Sequence, residues 1–154
     1  MSDPSPLKIR IAHVPDADSL VVRVELANDG PAVLVLNQRN AVGEPPVPGQ
    51  LPTSLPAEQR YEFAFSIVEM GGESLPFVVD VKAVPLEGEH FREVDPYDKV
   101  GREISLSSYY AVERGKRYQV QCAYLNAEDG RKFGVNAWTG IVASNVLSEL
   151  AIGN

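Results

Sequence analysis

An all-β fold is predicted by three observations. Apolar and polar residues alternate with a period of two in several short stretches, the spacing that gives a strand one buried face and one wet face. Twelve Gly and twelve Pro in 154 residues punctuate the chain densely, which favours many turns over long helices. No stretch carries the 3.6-residue apolar period of an amphipathic helix. The length fits a single domain, residues 1–154, around one core.

The elements follow in order. Leu7, Ile9 and Ile11 alternate with Lys8 and Arg10 and predict the first strand. After a turn at Pro15 to Ser19, Leu20, Val22, Val24 and Leu26 alternate with Val21, Arg23 and Glu25, the clearest strand pattern in the chain. The cluster Asn28-Asp29-Gly30-Pro31 predicts a turn, and Ala32 to Leu36 (AVLVL) has the length of a fully buried strand, so the two runs read as a hairpin. Residues 37–58 lose the alternation and hold Pro45, Pro46, Pro48, Pro52 and Pro56, which predicts a long loop, read equally as a connector or as a binding loop. Alternation resumes at Tyr61, Phe63, Phe65 and Ile67 and ends at Gly71-Gly72. A further strand is expected over Phe77 to Ala83, entered at Pro76.

Residues 85–102 form a second predicted long loop, the most acidic segment of the chain. Ile104 and Leu106 begin a short strand, Tyr109 to Arg114 make a turn, and Arg117 to Leu125 form another strand. Asn126 to Phe133 read as a polar hairpin loop. A last strand lies between Ile141 and Ile152; Val146, Leu150 and Ile152 suit one face while Leu147 and Ala151 suit the other, and a bulge reconciles them. About seven or eight short antiparallel strands with two long loops are most economically packed as an immunoglobulin-like β-sandwich, with a closed barrel as the alternative.

The C-terminal third carries a resemblance. Ile104-Ser-Leu106, Tyr109-Tyr110, Gly115, Tyr118-Gln-Val120, Tyr124 and Trp138-Thr-Gly140, with Ser144-Asn145 after them, fall in an order that resembles the immunoglobulin-like domain preceding the catalytic domain of deuterolysin-type (aspzincin) zinc peptidases. The turn Leu26-Ala-Asn28-Asp29-Gly30 is similar to an earlier part of that domain. These are core and turn residues, so the resemblance implies a fold rather than an activity. Tyr118, entering a strand two residues before Val120, reads as a corner tyrosine that anchors a sandwich edge.

Composition narrows the function. Lys and Arg number 14 against 21 Asp and Glu, a net charge of −7, which repels nucleic acid; the basic pairs Lys116-Arg117 and Arg131-Lys132 are too few for a phosphate footprint. No apolar run approaches the ~18 residues of a membrane span, so no membrane insertion is expected. Met1 to Pro15 lacks the pattern of a secretory signal, giving a cytoplasmic expectation for the sequence as written, or an extracellular or periplasmic one if a signal has been removed ahead of it. The single Cys122 lies in an alternating apolar run and is expected in the core, as is Trp138.

No enzyme is expected, and no cofactor. A zinc peptidase needs HExxH, but His13 is followed by Val-Pro-Asp-Ala and His90 by Phe-Arg-Glu-Val. A serine elbow is missing, and two histidines leave little for a triad. Asp16 and Asp18 form the nearest approach to a calcium site. The chain is therefore expected to be a non-catalytic protein-interaction module, such as an inhibitor or immunity-type binder, acting as a monomer or an edge-paired dimer. The candidate partner-binding residues are Glu87, Glu89, His90, Glu93, Asp95 and Asp98 in the acidic segment and Tyr109 and Tyr110 at the following turn. The alternative is a calcium- or carbohydrate-binding accessory domain related to secreted hydrolases.

Overall fold

The computed structural model describes residues 5–79 and 84–153. Two β-sheets pack face to face. The first sheet takes the order β1-β2-β7, from β1 (Leu7–Val14), β2 (Val21–Asn28) and β7 (Lys99–Ser105). The second takes the order β10-β8-β5-β4, from β4 (Val42–Gly43), β5 (Phe63–Glu69), β8 (Tyr118–Asn126) and β10 (Leu147–Leu150), with β9 (Gly140–Ala143) also paired to β8. A short ribbon pairs β3 (Leu34–Asn37) with β6 (Phe91–Val94). All pairings are antiparallel except β4 with β5.

Alternation explains the two sheets. Leu7, Ile9 and Ile11 from β1 and Val22, Val24 and Leu26 from β2 are buried against Phe63, Phe65 and Ile67 from β5 and Tyr118, Val120, Cys122 and Tyr124 from β8, forming one core. Cys122 is fully buried, and burial pushes its thiol well above the ordinary value. Tyr118 accepts a hydrogen bond at its hydroxyl from the Glu113 amide, 3.0 Å away, tying the entering strand to the turn before it.

Strands β2 and β3 continue one another, as do β6 and β7, so the β2–β7 and β3–β6 pairs make one long ribbon with a bend between them. Asn28 holds that bend. Its buried amide donates to the carbonyls of Ala32, Val94 and Asp95 and its side-chain oxygen accepts from Gly30, so every polar group of the side chain has a partner. At the opposite side of the sheet, Asn145 imitates a neighbouring strand: its side chain accepts from the Ile11 amide at 2.9 Å and donates to the Ile11 carbonyl at 3.0 Å.

Several sequence expectations need correction. The predicted loop 85–102 contains β6 and the start of β7, and the predicted loop 37–58 contains β4. Ala32 to Leu36 is neither fully buried nor folded back on β2 as the expected hairpin: β3 pairs with β6 instead, Val33 is 47% exposed, Leu34 is half-buried against the core and Leu36 lies within it. The expected last strand is two, β9 and β10, because Ser144 interrupts the ladder; its amide donates to the Cys122 carbonyl and its hydroxyl accepts from the Cys122 amide. Beyond the break the register shifts where Glu149 takes a left-handed φ of 58°, so Leu150 is buried while Val146 is exposed rather than on its face. Of the expected strand Phe77 to Ala83, the described part makes one bridge, Phe77 to Tyr110, and residues 80–83 lie outside the described residues.

Candidate functional site

A buried charge pair organises one end of the sandwich. Glu62, immediately before β5, is fully buried and accepts both Nε and Nη2 of Arg39, at 3.1 and 2.8 Å. Its two oxygens also accept the Ala41 amide and the side-chain amides of Asn37 and Gln59. A carboxylate out of water is costly unless paired and hydrogen-bonded, and here five donors converge on it. Arg39 spends two of its three remaining donors on the carbonyls of Val84 and Gln59.

The network extends across the sheet. Gln59 accepts from the Ala127 amide at 2.7 Å, and Asn37 donates to Asn126, which in turn donates to the carbonyls of Glu128 and Trp138. Tyr124 donates its hydroxyl to the Asn37 carbonyl at 2.8 Å. Burial, with the Glu62 charge behind it, holds that phenol far above its usual pKa, so it keeps its proton and its donor role. Trp138 is half-buried and stacks on the Tyr124 ring, 5.8 Å between centroids.

Beside this network lies a groove of about 710 Å³. Its apolar walls include Tyr61, Phe77, Val79, Val84 and Leu86. Phe77 is fixed by Tyr109, stacked at 6.0 Å, and by Tyr110, edge-on at 5.4 Å. Gly43 lies close under the Tyr61 ring, where a Cβ would collide with it, so strand β4 needs a glycine there for the ring to form the wall. Glu44, Glu58, Arg60 and His90 add charged or polar groups, and Arg60 is already paired to Glu58 at 3.2 Å.

The predicted partner-binding residues do not form one loop. Glu87, Glu89 and His90 belong to a 3-10 turn beside the groove, which His90 lines; its Nδ1 accepts from the Glu87 amide at 2.9 Å. Glu93 is exposed on β6, and Asp95 and Asp98 occupy the bend leading to β7. Tyr109 is half-buried against Phe77. Tyr110 is not a surface residue: it is 3% exposed and donates its hydroxyl to the Phe65 carbonyl inside the core. Asp16 and Asp18 do not converge on a point, because Asp16 accepts the amides of Asp18 and Ser19 within its own turn while Asp18 meets Arg114. Among the described residues no three His, Cys, Asp or Glu side chains gather as a metal site. Among the same residues no helix is long and apolar enough to cross a membrane.

Sequence reasoning missed Arg39, Gln59 and Glu62. The one signal was Glu62 itself, a charge placed between Tyr61 and Phe63 at the start of a strongly apolar strand. Set against protein-family models and curated proteins, the chain matches none.

Proposed function

We propose that the chain is a non-catalytic protein-interaction module that uses the groove beside β4 and β5 to hold an apolar segment of another protein flanked by basic residues. The observation that supports this reading is the groove: apolar walls on a floor braced by the Arg39–Glu62 pair, with acidic side chains at its margin. A recess built before its occupant arrives loses little entropy on binding. Glu44, Glu87 and Glu89 make no ion pair among the described residues, and the net charge of −7 draws a basic partner toward them. The groups that a catalytic reading would enlist have structural partners instead: Glu62 is saturated with donors, and the Nδ1 of His90 is taken by a backbone amide.

Capture from source-cell lysate tests this reading when run with wall variants in parallel. Val84→Asp and Leu86→Asp should each release the captured partner, while Val146→Asp, exposed and outside the groove, should retain it; rising salt should weaken capture. Capture that ignores both wall variants, or no captured protein, would overturn the assignment.

A further inference from the structure

The two edges of the first sheet are treated differently. Edge β1 is closed at Ile11 by the Asn145 side chain, whereas β7 has β2 as its only strand neighbour among the described residues. Which backbone groups of β7 face outward follows from the register. Asn28 donates to the Asp98 carbonyl and Leu106 donates to the Leu20 carbonyl, so the even-numbered residues between 98 and 106 bond to β2. The odd-numbered residues Lys99, Gly101 and Glu103 therefore turn their amides and carbonyls toward the open edge. The Lys99 amide is occupied by its neighbour Asp98 at 2.8 Å; the Gly101 and Glu103 amides have no second strand to meet.

We propose that β7 pairs antiparallel with β7 of a second copy of this chain about a two-fold axis at Gly101, joining two sheets in the order β1-β2-β7-β7-β2-β1. In this register the Gly101 amide of each copy donates to the Gly101 carbonyl of the other, and each Glu103 amide donates to the opposite Lys99 carbonyl.

Charge selects that register. Lys99 and Glu103 are exposed on the solvent face of β7 and lie symmetrically about Gly101, so the two-fold axis sets each lysine across from the other copy's glutamate. Glu103 makes no ion pair within its own chain among the described residues, while Lys99 Nζ already stands 3.7 Å from Glu25, so pairing completes a row of acid, base and acid. Centring the axis on Lys99 or Glu103 would instead oppose like charges, and centring it on Val100 or Arg102 would leave both charges facing uncharged residues. The glycine at the axis also has a local reason: the Arg23 guanidinium of β2 lies over Gly101, its Nη2 2.5 Å from where a Cβ would be, so any larger residue there would displace it. A strand edge that complements itself in both hydrogen bonding and charge fits a second copy better than an unrelated strand.

Sedimentation equilibrium of the wild-type chain at low salt tests the pairing, with dimer expected to grow with concentration. Lys99→Glu and Glu103→Lys should each weaken association on the order of tenfold, because two symmetric pairs change sign together. The double variant Lys99→Glu/Glu103→Lys should restore it. Amide hydrogen exchange of the unaltered chain supplies a readout without mutation: Gly101 and Glu103 should become more protected as concentration rises. A monomer at every concentration, a dimer indifferent to the single reversals, or no recovery in the double variant would overturn the proposal. Val84→Asp in the groove leaves this pairing intact, so its result is independent of the fate of the groove assignment.

Discussion

Replacing Glu62 by Gln keeps the volume of the side chain and removes its charge, which makes it the sharpest probe of the buried network. The carboxylate accepts five hydrogen bonds, two of them from Arg39, whose side chain is only 6% exposed. A glutamine offers one accepting oxygen and places an NH2 against groups that also donate, so at least one donor pair is forced together out of water. Breaking a buried pair from one side costs about 3–5 kcal/mol. Arg39→Met should cost a comparable amount, because it leaves the fully buried Glu62 carboxylate charged, with only Asn37, Ala41 and Gln59 as neutral donors. The double variant Arg39→Met/Glu62→Leu is the more informative case. Apolar replacement of a buried ion pair is often neutral, but here it strands the Ala41 amide and one Asn37 N–H at roughly 1–3 kcal/mol each, while Gln59 keeps the Tyr61 and Leu125 carbonyls, so stability should stay below that of the wild type. Urea unfolding followed by the fluorescence of Trp138, the only tryptophan and a neighbour of Tyr124, reads each midpoint. A loss below about 1 kcal/mol for Glu62→Gln, or full recovery in the double variant, would refute the reasoning.

Three further outcomes are expected. Asn28→Ala leaves the carbonyls of Ala32, Val94 and Asp95 and the Gly30 amide without their partner at the ribbon bend, and should lower stability by about 2–4 kcal/mol in the same urea assay. The Cys122 thiol, buried and held protonated, should resist a thiol-disulfide reagent in the native state and react only as fast as the chain unfolds, which a labelling time course measures against the unfolding rate. Burial lowers the pKa of His13 from 6.5, and its Nε2 has no hydrogen-bond partner. The unfolded chain then binds the extra proton, so this residue removes stability as pH falls below about 6.5; His13→Leu should flatten that part of the stability–pH curve, and an unchanged curve would contradict it.

Strands β1, β2, β5 and β8 were legible because each has a continuous buried face written at every second residue. Strand β7 was legible only at its end: Ile104 is buried, whereas Val100 and Arg102 are half-buried and Gly101 interrupts the pattern, as befits an edge. Strand β6 hid in the acidic segment because Arg92 and Glu93 are exposed between Phe91 and Val94. The bracing network was illegible for a different reason. Alternation assigned Glu62 and Ala64 to a wet face, yet both are fully buried, because the chain around Arg39 and Gln59 closes over Glu62. Arg39, Gln59 and Asn126 are distant in sequence, and no local pattern states that they meet. The tyrosines show the same limit: neighbouring side chains in extended backbone diverge, but which of Tyr109 and Tyr110 enters the core depended on Phe65, far along the chain.

The Asn145 clip on β1 has a consequence for growth. A sheet with two open edges can add copies without end, and a flat, two-edged unit is the repeating element of a fibre. Here one amide side chain occupies both main-chain groups of Ile11, and a single residue thereby acts as a chain terminator on that flank. Whatever pairs along β7, a strand added on the β1 flank would have to displace that clip at Ile11, so the first sheet is built to grow from one side only.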